Sequence, residues 1–321
     1  MTLNRRVILT AAACFAGAFA LAGGSPALAQ YPDKGLTLIV PYGAGGGTDI
    51  TARLLAKDLE GVLGKPVTVQ NIAGGGGWTG WGTLASAKPD GYTIGYLNVP
   101  AIYAGYLDPK LGRKETLESF TPIINHVIDH VVLTVKADSK FKTLKDMVDE
   151  AKAKPNTVSI TAHGVGGDEH LAILAIEAAT GAKFRVVQNK STPESKSQAL
   201  GGHVQVLASN VSEIATEVKA GDLRVLGVMS EEPSGFLPGA PTFKSQGFNI
   251  LASNSRGIAT PAGLPKDVEQ KLVAALEKVI LSKDHQQKAE TLFLEPRVIR
   301  GADYAKFLKD NEQDIKKLMN W

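Results

Sequence analysis

The sequence predicts an α/β protein of two lobes, and three observations carry that expectation. A strand, a glycine-rich turn and an amphipathic helix follow one another between Leu36 and Leu63, LTLIVPYGAGGGTDITARLLAKDLEGVL. Strand-like and helix-like runs then alternate along the chain, the pattern of a parallel sheet covered by helices. A long β-rich stretch from Pro122 to Val135 interrupts the alternation, and Ser253-Asn254-Ser255-Arg256-Gly257 stands where the chain would return, so these are the expected crossings between lobes. The expected division is an export signal at 1–29, lobe 1 at 31–130 with 251–321, and lobe 2 at 131–250.

The export signal rests on the basic Asn4-Arg5-Arg6, the apolar run from Val7 to Gly24 and the small-x-small pattern Ala27-Leu28-Ala29 before Gln30. Arg5-Arg6 fits twin-arginine and ordinary secretory export alike. Cys14, the only cysteine, lies inside this segment, so disulfides and thiol chemistry are not expected of the mature chain. About 290 of the 321 residues remain, more than a typical single domain. Without Arg5 and Arg6 the 35 basic residues fall to 33, against 32 acidic ones, which argues against a nucleic-acid partner or a polybasic membrane contact. No later apolar run approaches the length of a membrane span, so the mature chain is expected not to be membrane-embedded.

The first unit is built to hold an anion. Leu36 to Val40 is the strand, Pro41 to Gly47 the turn, and Thr48 and Asp49 are natural N-cap residues. Ala52, Leu55, Leu59, Val62 and Leu63 share one helical face, leaving Arg53, Lys57 and Glu60 for solvent. Free N–H groups at such a helix start, backed by the macrodipole, point at whatever sits over the loop. Pro66 to Gln70 reads as a second strand, followed by a second glycine loop, Gly74 to Gly77, and a short helix through Leu84 to Ala87. Lys88-Pro89-Asp90-Gly91-Tyr92 is a turn by its chemistry, and Thr93 to Asn98 is a third strand. Ligands in open α/β sheets sit at the carboxyl ends of strands, where both glycine loops and Asn98 fall.

Beyond the first crossing the sequence predicts a helix over Thr143 to Lys152 and a strand over Thr157 to Thr161. A third glycine turn follows, His163-Gly164-Val165-Gly166-Gly167-Asp168-Glu169-His170, opening a helix over Leu171 to Ala179. Further alternation runs through Phe184 to Gln188, Pro193 to Leu200, His203 to Ala208, Val211 to Lys219 and Leu223 to Met229. A strand over Phe248 to Ala252 precedes the return loop, and the remainder reads as mostly helical, Lys266 to Leu281 and Tyr304 to Leu318.

Several of these stretches, taken in order, resemble the extracytoplasmic solute receptors of the tripartite tricarboxylate transporters, the Bug-type binding proteins. They are Leu38 to Tyr42 with Gly46-Gly47-Thr48-Asp49, Asn71 before its glycine loop, Lys88 to Thr93, Gly164-Val165-Gly166 with His170-Leu171-Ala172, Gly221 to Arg224, Pro241-Thr242 and Ala259 to Pro265. The likeness covers essentially the whole mature chain. It implies a two-lobed type II periplasmic-binding-protein fold with a hinge, a periplasmic location, a small carboxylate ligand and membrane transporter subunits as partners. It also implies that the carboxylate is held by the first two glycine loops, through backbone groups and waters rather than an arginine. On this sequence those positions are Tyr42, Gly43, Ala44, Gly45, Gly46 and Thr48, with Asp49 as loop organiser and cap, and Gly74, Gly75, Gly76 and Gly77. The turn bearing His163, Gly164, Gly166, Gly167 and Asp168 would close over the far end, where this sequence departs most from the family pattern.

Other readings of these residues are weaker. Gly75-x-Gly77-x-x-Gly80 fits the dinucleotide fingerprint but lacks the acidic residue about twenty positions on, so no cofactor is expected. His126 and His130 have helical metal-ligand spacing, yet four residues along a strand span roughly 13 Å, beyond one metal. They read as surface or crossing histidines, and no metal site is expected. Asp168 either meets a cation or ligand amino group or caps its helix, with Glu169 complementing the dipole. Trp78 is expected to wall the pocket, whereas Trp81 suits the core equally well. No Gly-x-Ser-x-Gly elbow, cysteine nucleophile or Ser/His/Asp grouping stands out, so an exported hydrolase is the alternative to a receptor.

Overall fold

A computed structural model describes residues 31–321. The expected export signal, with Cys14, lies outside the described residues. The elements run β1 (Leu36–Val40), α1 (Gly47–Leu63), β2 (Val67–Asn71), α2 (Trp78–Ala85), β3 (Thr93–Val99), α3 (Ala101–Leu107), β4 (Phe120–Lys136), α4 (Leu144–Ala153), β5 (Ser159–Ala162) and α5 (Asp168–Thr180). They continue as β6 (Arg185–Gln188), α6 (Thr192–Leu200), β7 (Leu207–Asn210), α7 (Val211–Ala220), β8 (Leu223–Val228), β9 (Ser253–Pro261), α8 (Lys266–Ile280), α9 (Lys283–Thr291), β10 (Glu295–Arg300) and α10 (Gly301–Met319). This is the expected α/β class.

Strand order is β10-β4-β9-β3-β1-β2. The sheet is mixed rather than the parallel one expected: β1 is parallel to β2 and β3, but β9 runs antiparallel to β3 and β4. The crossing read from Pro122 to Val135 is one long strand. From Phe120 to His130, β4 pairs with β9, and from Val131 onward it pairs with β7 and β8. Beyond β7 lie the parallel β5 and β6, reached through a bridge between Ile160 and Val206.

Alternation along the strands divides the core. Leu36, Leu38 and Val40 pack with Leu55 and Leu59 of α1 and Leu272 and Leu276 of α8, while Ile39 joins Trp81, Leu97 and Tyr103 on the other face. Val131, Leu133 and Val135 of β4 face Leu144, Ile160 and Ile173, whereas Val132 faces Ile214 and Leu207. Each half of the molecule therefore buries its own apolar clusters, and β4 contributes to both.

Three expectations change here. The residues Ser253 to Gly257 are the first part of β9, not a loop, and the strand expected at Phe248 to Ala252 is absent. Its polar side chains hid it, because they pair with other buried polar groups rather than alternating with apolar ones. His126 lies on the crossing strand, as one of its two expected placements had it, but not at the surface. It is fully buried, 2.7 Å from the Tyr96 hydroxyl through Nδ1 and 2.8 Å from His285 through Nε2, and His285 in turn lies 2.8 Å from Asp58. Burial, with the charges of His285 and Arg256, holds its basicity far below that of a free imidazole, so it stays neutral. Finally α1 is capped by Gly46, which makes no side-chain cap bond, so neither Thr48 nor Asp49 is the N-cap.

Candidate ligand-binding cleft

Four helices of nine residues or more start at one cavity. The N-terminal residues Gly47 and Thr48 of α1, Asp168 and Glu169 of α5, Thr192 of α6 and Glu213 of α7 all line it, together with Tyr42, Gly43, Gly46, Ala101, His163, Lys190, Asn210, Asn254 and Arg256. The first turn of a helix leaves N–H groups without intrahelical partners and carries roughly half a positive charge, so four such ends favour an anion, against the carboxylates of Asp168, Glu169 and Glu213 that share the lining. The space is about 90 Å³. A larger groove of about 920 Å³ lies along the other side chains of the crossing strands: Ile128, His130 and Ser253 face it, and Asn254 faces the small cavity. The larger groove holds none of the first loop, so the chemistry points to the smaller one.

Asp49 organises the loops, as expected, though not as a cap. Its carboxylate accepts from Gly45 N–H at 2.9 Å, from Asn71 Nδ2 at 2.9 Å and from Arg53 Nε at 3.0 Å, and Asn71 Nδ2 also reaches the Tyr42 carbonyl at 3.1 Å. Burial opposes its charge, but these donors hold the carboxyl below the usual range. Ala44 and Gly45 thus shape the loop without lining the cavity. Asn98 lies behind it, donating to Thr48 Oγ1 at 2.9 Å and to Asn254 Oδ1 at 3.2 Å.

The second glycine loop is separate from the cavity. Gly74, Gly75, Gly76 and Gly77 all have positive φ, which only glycine adopts readily, and Gly76 faces Gly164 of the second-half turn. Gly166 packs on Ala104 so closely that a Cβ would stand 2.1 Å from that methyl, and Gly167 lines the cavity as the N-cap of α5. Trp78 is buried beneath α3, where a Cβ on Gly105 would fall 2.0 Å from its ring, and it meets Trp81 edge-on at 5.4 Å. It belongs to the apolar cluster and does not line the cavity.

Arg256 was not anticipated. It is 1 % exposed, pairs with Asp129 at 2.9 Å and donates through Nη2 to Asn210 Oδ1 at 3.3 Å. Val127 is its register partner and Asp129 that of Asn254, so the ion pair is a diagonal one across the crossing strands. Gly47 passes so near that a Cβ there would stand 2.7 Å from Arg256 Nη2. Glu213 comes from the opposite half: its Oε1 accepts from Gly47 N–H at 3.3 Å and Thr192 Oγ1 at 2.8 Å, and its Oε2 from Asn210 N–H at 3.1 Å. The spacing Asn210-Val211-Ser212-Glu213 is a capping-box signature readable in sequence, as is Ser191 before Thr192-Pro193-Glu194.

Asp168 does not cap α5. Its oxygens accept from Asn254 Nδ2 at 3.1 Å and Asn210 Nδ2 at 2.7 Å, and burial, reinforced by Glu169 and Glu213, pushes its carboxyl well above the ordinary range. His163 Nδ1 lies 2.8 Å from Glu169 Oε1 and its Nε2 lies 2.8 Å from Ser195 Oγ. Burial opposes protonation of His163, but Glu169, with Glu213 and Asp168 beyond, raises it to about 9. The order Ser195, His163, Glu169 has the connectivity of a hydrolytic triad. Ser195, however, is fully buried, accepts a further bond from Asn189 and does not line the cavity, so the chain of bonds fixes His163 instead of presenting a nucleophile. Among the described residues no cluster of three His, Cys, Asp or Glu side chains is placed to hold a metal, and no helix is long and apolar enough to cross a membrane.

Residues 51–320 match the family model described as "Tripartite tricarboxylate transporter family receptor". Protein BugT of Bordetella pertussis is 30% identical over 253 residues, 78% of this chain and 76% of BugT. The periplasmic binding protein BugD superposes with a TM-score of 0.79 at 26% identity, over 90% of this chain and 96% of BugD. MatC from Rhodopseudomonas palustris, solved with bound malate, shares the fold with a TM-score of 0.81 at 20% identity, over 90% of this chain and 99% of MatC. The chain belongs to the tripartite tricarboxylate transporter receptor family, whose members are solute-binding receptors and not enzymes.

Proposed function

We propose that this protein is an exported, periplasmic receptor that captures a small organic acid by closing two lobes, 31–130 with 251–321 and 131–250, around it, and delivers it to the membrane subunits of a tripartite transporter. One observation carries the reading: four helix N-termini and the buried guanidinium of Arg256 converge on a single cavity between the halves. The ligand carboxylate docks on the α1 start, at Tyr42, Gly43, Gly46, Gly47 and Thr48, with Arg256 behind it. The turn from His163 to Asp168 closes over the other end, and exclusion of water strengthens both sets of contacts. The malate held by MatC is a ligand of the proposed class.

Gly46→Asp tests this reading. Gly46 has φ −83° and ψ 169°, open to any residue, and a Cβ there would meet only the Gly43 carbonyl at 3.9 Å. The variant should fold with stability within about 1 kcal/mol of the parent, since Asp suits an N-cap, but its carboxylate would occupy the amides intended for the ligand. In a calorimetric and thermal-shift screen of mono-, di- and tricarboxylates, the parent should respond to one class; at a hundred times Kd the stabilisation is about 2.7 kcal/mol. The variant should respond to none. Carboxylate binding of undiminished affinity by Gly46→Asp would overturn the assignment.

A further inference from the structure

The two ends of the small cavity differ in what they leave unused. At one end Arg256, 1 % exposed, has its Nε–H without a hydrogen-bond partner among the described residues, beside the amide-bearing start of α1. At the other end the Asp168 carboxylate, 5% exposed, is held by the side-chain amides of Asn210 and Asn254. A carboxylate has about four lone-pair sites, and these two donors fill half of them. Among the described residues no cation pairs directly with Asp168: Arg256 is paired with Asp129, His163 with Glu169, and Lys190 on the rim is exposed. Asn210 ties the ends together, since it also accepts from Arg256 and donates its N–H to Glu213.

We infer that the ligand is a small amino acid, its carboxylate received by the α1 N-terminus and Arg256 and its ammonium by Asp168. The inference rests on the receptor reading and narrows its ligand class. An oriented, desolvated acceptor with spare lone pairs favours a group that brings several donors and a positive charge, which an ammonium supplies and a second carboxylate does not. Burial and the neighbouring Glu169 and Glu213 disfavour the charge on Asp168, so a ligand cation relieves what the protein leaves uncompensated. The cavity volume of about 90 Å³ selects a small occupant.

Matched acids test it. Affinities of the parent protein are measured by calorimetry for L-alanine, lactate and propionate, and for L-aspartate, malate and succinate, each set alike in size and differing only in amine, hydroxyl or hydrogen. The expected result is that at least one amino acid binds ten-fold or more tightly than both of its partners, and that Asp168→Asn, an isosteric change, abolishes that preference. Equal or tighter binding of a hydroxy or unsubstituted acid overturns the inference while leaving the carboxylate receptor intact. If Asp168→Asn keeps the amine preference, the assignment of Asp168 is overturned. Absence of binding by every acid in both series overturns the inference and the carboxylate anchor together.

Discussion

At the scale of single residues, the charge state of His163 makes the cleft sensitive to alkali. Its ordinary value is about 6.5, and in the fold Glu169, with Glu213 and Asp168, outweighs burial to raise it to about 9. Below pH ~6.5 the imidazole is protonated folded or unfolded, so its contribution is fully present there. Between about 6.5 and 9 only the folded state keeps the proton, and stability falls as pH rises through this window. The shift corresponds to about 3 kcal/mol at about 1.4 kcal/mol per unit. Urea unfolding of the parent should show that decline between pH 6.5 and 10. His163→Gln should start lower and stay flat, whereas an undiminished decline in the variant would place the proton elsewhere. This residue was a candidate from its position in the turn alone, but its partners were not legible. Glu169 reads locally as a complement to the α5 dipole, and Ser195 lies 32 positions away.

The elements show why the rest of the site was half visible. The first glycine loop and its helix are local devices, and both appear where the chain pattern puts them, displaced only at the cap. Asn254 and Arg256 were passed over because Ser253 to Gly257 lacks the apolar alternation of a strand. That stretch is nevertheless β9, with its polar groups buried against Asp129, Asn98, Asn210 and Asp168. Trp78 failed as a cavity wall for the converse reason: its neighbour Gly105 comes from α3, a helix with no clear signal. The pairing of β4 with β9 therefore encloses a buried ion pair. Removing one partner of such a pair costs about 3–5 kcal/mol, because the other is left charged in a dry site. Asp129→Asn should cost about 3 kcal/mol in urea unfolding, toward the lower end because Asp168 and Glu213 still attract Arg256. Adding Arg256→Met should cost less than the sum of the single changes, as expected of residues in contact. A loss below about 1 kcal/mol for Asp129→Asn would show that the crossing strands do not need the pair.

For the molecule as a whole, Glu213 is the informative residue, because it joins the start of α7 to the start of α1 across 166 positions of sequence. Its carboxylate stands on the Gly47 amide that the proposed ligand would also use, so the protein's own side chain occupies that place. On the proposed closure mechanism, ligand would compete with Glu213 as well as with water, and both would set the balance between open and closed forms. Reversing the charge, Glu213→Lys, puts an ammonium against the positive end of α1 and beside Arg256, which should drive the halves apart. Small-angle scattering should give a larger radius of gyration for this variant, unaltered by ligand, with far-ultraviolet dichroism unchanged. Glu213→Gln keeps a capping-box partner for the Asn210 N–H without the charge. It should be more open than the parent when free and close on adding the acid that the parent binds. If the parent, Glu213→Lys and the ligand-bound parent all share one radius, the molecule does not work by closure, whatever acid it binds.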